Sequence, residues 1–134
     1  MRTQRFVADG FTILELMIVV AIIAIVAAVA IPSLLNSRKA ANEAGAIGGL
    51  KAIHAGNEQY RIRFGAYGQL DSLQNSGFID GFDVVTATRL YRGGYFFNGV
   101  FVTGRSRYRV RANPDEQGVD GDRYFALWSN GVIR

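Results

Sequence analysis

Apolar and polar positions are spread unevenly along the chain. Residues 16–35 carry no formal charge and are almost wholly apolar. At about 1.5 Å rise per residue they make roughly 30 Å of helix, the thickness of a bilayer's hydrocarbon core. Pro32 and Ser33 soften the outer end of this block. Helical spacing continues beyond it. Ala40, Ala44, Ile47, Leu50 and Ile53 recur every three or four positions, while Arg38, Lys39, Glu43, Lys51, Glu58 and Arg61 fall largely on other faces. The pattern predicts one long helix over residues 11–63, roughly 80 Å by the same rise. Its first half is apolar and its second half amphipathic. Such a rod, joined to a head, has no place in a soluble monomer and needs lipid or an assembly around it. Ala41, Gly45 and Gly49 are spaced four apart, a line of small residues that lets backbones approach closely. The same glycines, with Gly48, alternatively mark a weak stretch of helix.

From residue 64 the texture changes. Gly65, Gly68 and Asn75-Ser76-Gly77 are loop signals, and residues 64–73 are expected to wrap back along the helix. Residues 95–102 are rich in aromatic and β-branched side chains. They read either as one strand or as two joined by a turn at Asn98-Gly99. Over residues 107–112, Tyr108, Val110 and Ala112 share one face and Arg107, Arg109 and Arg111 the other. Residues 124–128 form the next strand candidate, and Asn130-Gly131 turns the chain into Val132-Ile133. The expected architecture is α+β, with a three- or four-stranded antiparallel sheet laying its apolar face on the long helix.

Length and composition narrow the function. At 134 residues the chain holds one ordinary domain, which excludes a multidomain enzyme and a multi-span transporter. It contains no cysteine, so it has neither an internal disulfide nor a cysteine-based zinc or iron–sulfur site. A net charge of +4 does not by itself indicate a nucleic-acid binder. The head, about 70 residues, is near the size where a core alone is marginal.

Candidate chemistry is sparse. His54 is the only histidine and has no nucleophile motif beside it, so it reads as a solvated helix residue. Asp115, Glu116, Asp120 and Asp122 cluster in one loop. Carboxylates suit a hard cation such as calcium, but the spacing is not that of an EF-hand, and solvation or pairing with Arg123 is expected instead. Arg107, Arg109 and Arg111 make a basic stripe with Tyr108 on the opposite face, so this strand does not interleave charge with stacking groups as a nucleic-acid platform does. It suits the acidic loops of another subunit or solvent, with nucleic acid a weak third. Trp128 and the tyrosine and phenylalanine set read as core. The glycines of the helix are not a phosphate loop, since no Gly-Lys-Ser/Thr follows. No acid, base and nucleophile constellation emerges, so the expectation is no enzyme, no cofactor and no bound metal.

Two processing schemes fit the N-terminal region. In one, Arg2 and Arg5 head a secretory signal peptide, Ala28-Val29-Ala30 is its cleavage pattern, and a soluble binding domain starting at Ile31 is released. Glu15 at the edge of the apolar block and the long, Asp9-containing lead speak against it. In the other, Gly10-Phe11-Thr12-Ile13-Leu14-Glu15 stands directly before the block, with Pro32 near its end. This arrangement closely resembles the class III signal of type IV pilins and pseudopilins, departing from it in the Ile13-Leu14 order and in Asp9. The resemblance implies a leader over residues 1–10, cleavage between Gly10 and Phe11 by a prepilin peptidase, and N-methylation of Phe11. It implies a transmembrane and assembly helix over 11–35, its amphipathic continuation over 36–63, and a head over 64–134. The Gly65-Ala66-Tyr67 stretch after the helix and the C-terminal Ser129–Arg134 tail extend a weaker likeness to cysteine-free bacterial pilins.

Glu15 is the one charge touching the apolar block. It either snorkels to a membrane interface or, as the resemblance implies, pairs with the new α-amine of a neighbouring subunit and fixes axial register. Pro32 lacks an N–H and crowds the carbonyl of Ala28, so it kinks or loosens the helix, or marks the end of the membrane span. The implied function is a type IV pilus subunit, held in the inner membrane as a precursor and then polymerised with copies of itself into a surface filament by inner-membrane assembly machinery. Adhesion, motility and DNA uptake are the roles such filaments serve. A periplasmic pseudopilin of a type II secretion system is the alternative.

Overall fold

The computed structural model describes residues 10–101 and 106–134. The expected leader, apart from Gly10, and Val102 of the expected strand over 95–102 lie outside the described residues. The chain divides into two compact units between Leu35 and Asn36. Helix α1, Ile13–Phe64, is assigned without a break through Pro32 and contributes to both. In the first unit the large apolar side chains from Phe11 to Leu35 are all exposed.

The second unit is an α+β head. After α1 the chain forms a short helix α2 (Leu70–Asn75) and five strands: β1 (Asp83–Thr86), β2 (Arg89–Arg92), β3 (Tyr95–Phe101), β4 (Tyr108–Pro114) and β5 (Phe125–Trp128). They pair antiparallel in the order β1-β2-β3-β4-β5. The sheet therefore has five strands where three or four were expected. β1 and β2 escaped the pattern because β1 is exposed at every position and β2 is only four residues long. Residues 95–101 are one strand. Asn98-Gly99 is no turn, because Asn98 pairs with Arg89 on one side and Arg111 on the other. The hairpin turn is instead Gly93-Gly94, both at positive φ, between β2 and β3. Left-handed backbone at both positions matches the twist of a two-residue hairpin.

The inner face of the sheet is built in cross-strand rows. Leu90, Phe97, Ala112 and Phe125 stand side by side across β2 to β5, and Gly99, Val110, Leu127 and Ile133 form the next row. Small Ala112 lies between two phenylalanines, which lets both rings reach the helix side. The α1 surface beneath consists of Ala46, Gly49, Leu50, Ile53, Gly56 and Asn57, all buried. Leu70 and Leu73 of α2 and Tyr67 close the same core. As expected, residues 64–73 fold back on α1: the buried Asn57 carboxamide oxygen accepts a hydrogen bond from Gly68 N–H at 2.9 Å.

The buried stripe differs from the expected one. Ala40, Ala41, Ala44 and Gly45 are exposed, whereas Glu43 is buried. The line of small residues thus does not pack as a unit in the head. Only Gly49 lies in close contact, where an added Cβ would fall 2.7 Å from the Phe97 ring. Gly56 is tighter in kind, because its added Cβ would meet Ile79 at 2.6 Å and the Phe78 carbonyl oxygen at 2.8 Å. Gly48 faces open space. Gly56→Ala should therefore destabilise the head by about 1–3 kcal/mol through overpacking. Gly48→Ala should stabilise it by up to about 1 kcal/mol through helix propensity. Thermal melts of the two full-length variants in detergent, followed by circular dichroism at aromatic wavelengths, check this opposite pair.

Candidate functional site

The N-terminal motif acquires a specific local geometry. Thr12 precedes the first helical residue. Its hydroxyl oxygen accepts the Glu15 N–H at 3.1 Å, and Glu15 Oε2 accepts the Thr12 N–H at 3.2 Å and stands 3.1 Å from the Thr12 hydroxyl. This is a capping box, in which two otherwise unpaired backbone donors at a helix start are satisfied reciprocally. It also places the carboxylate at the positive end of the helix dipole. The signal, Thr followed three positions later by Glu, stands in the sequence. It also explains why α1 starts at Ile13 rather than Phe11. Gly10 and Phe11 precede the cap in exposed, non-helical chain, with Phe11 78% exposed. The described residues contain one helix long and apolar enough to cross a membrane. Along one of its faces Ile13, Leu16, Met17, Val20, Ala21 and Ala24 line a shallow apolar groove.

In the head, the polar groups that the sequence scattered are tied together by Glu43. Its Oε1 accepts the backbone N–H groups of Asp122 (3.1 Å) and Arg123 (3.2 Å), and its Oε2 accepts the Arg123 guanidinium through Nε at 2.7 Å and a terminal nitrogen at 2.6 Å. The hydrogen bond from Arg123 is the main reason its carboxyl is held below the ordinary value of 4.5, against the opposing effect of burial. Lys39 pairs with Asp122 at 3.2 Å, and Asn42 donates to the Asp120 carbonyl at 3.0 Å. The loop from 115 to 124 is thereby fastened to α1. Arg123 does not pair with the acids of its own loop, as expected, but with the helix. Among the described residues no group of three or more carboxylate or histidine side chains is arranged to hold a metal.

His54 is not a solvated helix residue. It is half-buried, with Nδ1 2.9 Å from the Tyr108 hydroxyl. Burial pushes the Tyr108 phenol far above its ordinary range. The Tyr67 ring meets the Tyr108 ring edge-on, and its hydroxyl donates to Glu58 at 2.9 Å. This chain of contacts pins the Gly65-Ala66-Tyr67 stretch. Glu58 is held below its usual range despite the opposing burial, by hydrogen bonds from Tyr67 and Arg61. Trp128 is also misplaced by the sequence reading, since it lies on the outer side of the sheet at 37% exposure.

The large apolar side chains from Phe11 to Leu35 stand exposed beside a carboxylate-capped helix start, and a small α+β head follows in the chain. Residues 7–31 match the family model described as the prokaryotic N-terminal methylation motif. The chain thus carries the class III signal of type IV pilin-like proteins, and its long helix with a five-stranded antiparallel sheet is a pilin-like fold. That signal implies processing by a prepilin peptidase and assembly into pilus-like machinery. The match covers Gly10, Phe11, Glu15 and Ala30 and stops one residue short of Pro32. No curated protein matches the chain.

The Glu43 clamp makes acid sensitivity predictable. Its carboxyl titrates lower in the folded head than in the unfolded chain, so the unfolded chain binds more protons in between. The stability it contributes is complete above about pH 4.5 and is lost as pH falls through the folded pKa. Glu43→Gln should lower Tm at pH 7 by about 5 °C. It should also flatten the decline of Tm below pH 4.5, leaving the part that belongs to Glu58. Thermal melts of the two proteins across pH 3 to 7 read both effects.

Proposed function

We propose that this protein is the structural subunit of a type IV pilus. In this reading it is cut between Gly10 and Phe11, N-methylated at Phe11, and polymerised through the apolar part of α1. The observation that carries the reading is the complete exposure of the large apolar side chains from Phe11 to Leu35 directly behind a class III signal. Exposed apolar area of this extent is stable only in lipid or against other apolar helices. The precursor accordingly rests in the inner membrane, and the filament replaces lipid with neighbouring copies. The apolar groove between Ile13 and Ala24 offers the spaces into which the ridges of a neighbouring helix fit. The role is structural, and no catalytic step is assigned to it.

Glu15 then has two successive tasks. In the single chain it caps α1. In the filament its carboxylate, which accepts from Thr12 in the single chain, meets the α-amine of a neighbouring Phe11. Ion pairs in a low-dielectric surrounding act best as register devices. Pro32 leaves the Ala28 carbonyl without its helical donor, which lets the helix bend or extend on leaving the membrane.

The test has two parts. The intact mass and N-terminal fragmentation of the protein from host membranes and sheared surface material should give a chain beginning at methylated Phe11. A chain beginning at Ile31 would overturn the filament reading in favour of a soluble exported domain. Deletion of the gene should abolish surface filaments. Loss of enzyme export with filaments intact would instead make the protein a pseudopilin. Glu15→Gln separates the two tasks of Glu15. Glutamine also closes a capping box, so the helix start should survive while assembly fails. Filament yield equal to wild type in that variant would remove the register role.

A further inference from the structure

The outer face of the sheet combines groups that no single strand displays together. Arg109 of β4 stands beside Trp128 of β5, and Arg111 beside Ala126. Ala126 in turn exchanges two backbone hydrogen bonds with Arg134, at 2.7 and 2.9 Å, which sets the Arg134 side chain on the same face. Tyr124, 73% exposed, immediately precedes β5, and Trp128 ends it. These six residues line an open cleft of about 650 Å³ with no acidic side chain in its lining. The stripe read along β4 alone lacks stacking groups, but the neighbouring strand supplies them.

We propose that this face binds single-stranded nucleic acid, with Trp128 and Tyr124 stacking on bases and Arg109, Arg111 and Arg134 holding phosphates. Same-face residues two apart on a strand are about 7 Å apart, close to the step of one nucleotide in an extended strand. Tyr124 and Trp128 are separated by four residues of extended chain, roughly 13 Å, or two such steps, with the small Ala126 leaving room between them. The basic row continues inward along the register from Arg111 through Asn98 to Arg89, whose guanidinium lies 3.8 Å from the centre of the Phe96 ring. Arginine beside exposed planar rings suits a polyanion that itself carries planar rings. A saccharide polyanion brings charge without such rings, and a duplex keeps its bases covered. The site lies wholly in the head and does not depend on how the N-terminus is processed.

Fluorescence anisotropy of a labelled oligothymidylate of about 15 nucleotides, titrated with the full-length protein in detergent micelles over a range of salt, tests the proposal. Binding should weaken steadily with salt. Arg111→Gln should reduce the slope of log affinity against log salt by about 0.7. Trp128→Ala should weaken binding about tenfold, while Trp128→Phe, which keeps a stacking ring, should retain most of it. Tyr124→Ala, at a still more exposed position, gives the same reading if the tryptophan variant loses its fold by circular dichroism. The proposal fails if no binding is seen at about 50 mM salt. It also fails if heparin and a duplex of equal length bind as tightly as the single strand and the aromatic variants bind like wild type, because the face is then a charged patch only.

Discussion

Everything in the head rests on how closely the sheet can approach α1. The missing side chain of Gly49 sets that distance, and that of Gly56 sets how closely the connection between α2 and β1 lies on the helix. At Gly49 the Phe97 ring occupies the place of a Cβ, and at Gly56 the Ile79 side chain and the Phe78 carbonyl do so. The Phe97 ring that fills the place of a Gly49 Cβ stands in the row Leu90-Phe97-Ala112-Phe125. Strong helix formers along that line would favour α1 alone and push the sheet away. The chain therefore accepts a weaker helix so that a head of modest size can bury whole aromatic rings, the largest apolar groups it has.

The polar contacts complete what the close approach begins. Glu43 lies on the same side of α1 as Ala46 and Leu50, and its carboxylate is buried with four donors around it. An unpaired carboxylate there would be costly, and a fully satisfied one holds the 115–124 loop in one place. At the other end of the head, Asn57 and Glu58 hold the chain that follows the helix, through Gly68 and Tyr67. A protein without cysteine thus fastens two of its connections, 65–69 and 115–124, to one helix with side-chain hydrogen bonds. At the start of α1 the same economy recurs, since Glu15 and Thr12 close the helix end with their own side chains.

Much of this was legible in the sequence. The apolar block, the long helix and the alternation of β4 follow from periodicity, which records burial directly. The spacing of Gly10, Phe11, Glu15 and Pro32 resembles the class III signal, and residues 7–31 match the corresponding family model. What was missed had a local cue or none. Gly93-Gly94 between Arg92 and Tyr95 and the Thr12–Glu15 spacing are local cues to a hairpin turn and a helix start. β1 is exposed at all four positions, so no alternation could reveal it. Glu43 falls outside the apolar spacing of α1 and is nevertheless buried, because its partners come from residues about eighty positions away. Trp128 and Arg109 are neighbours only through strand register, which a pattern along one segment does not contain.

The strictly sequential order of the sheet has a kinetic consequence. Each strand pairs with the one made just before it, so the sheet contains no pairing that waits for a distant segment. Topologies dominated by such near-neighbour pairings close small loops and fold quickly. The sheet can therefore zip in the order in which the strands are made, β1 first and β5 last. The 115–124 loop precedes only β5 and the C-terminal tail, so the partners of Glu43 are among the last segments of the head to be made.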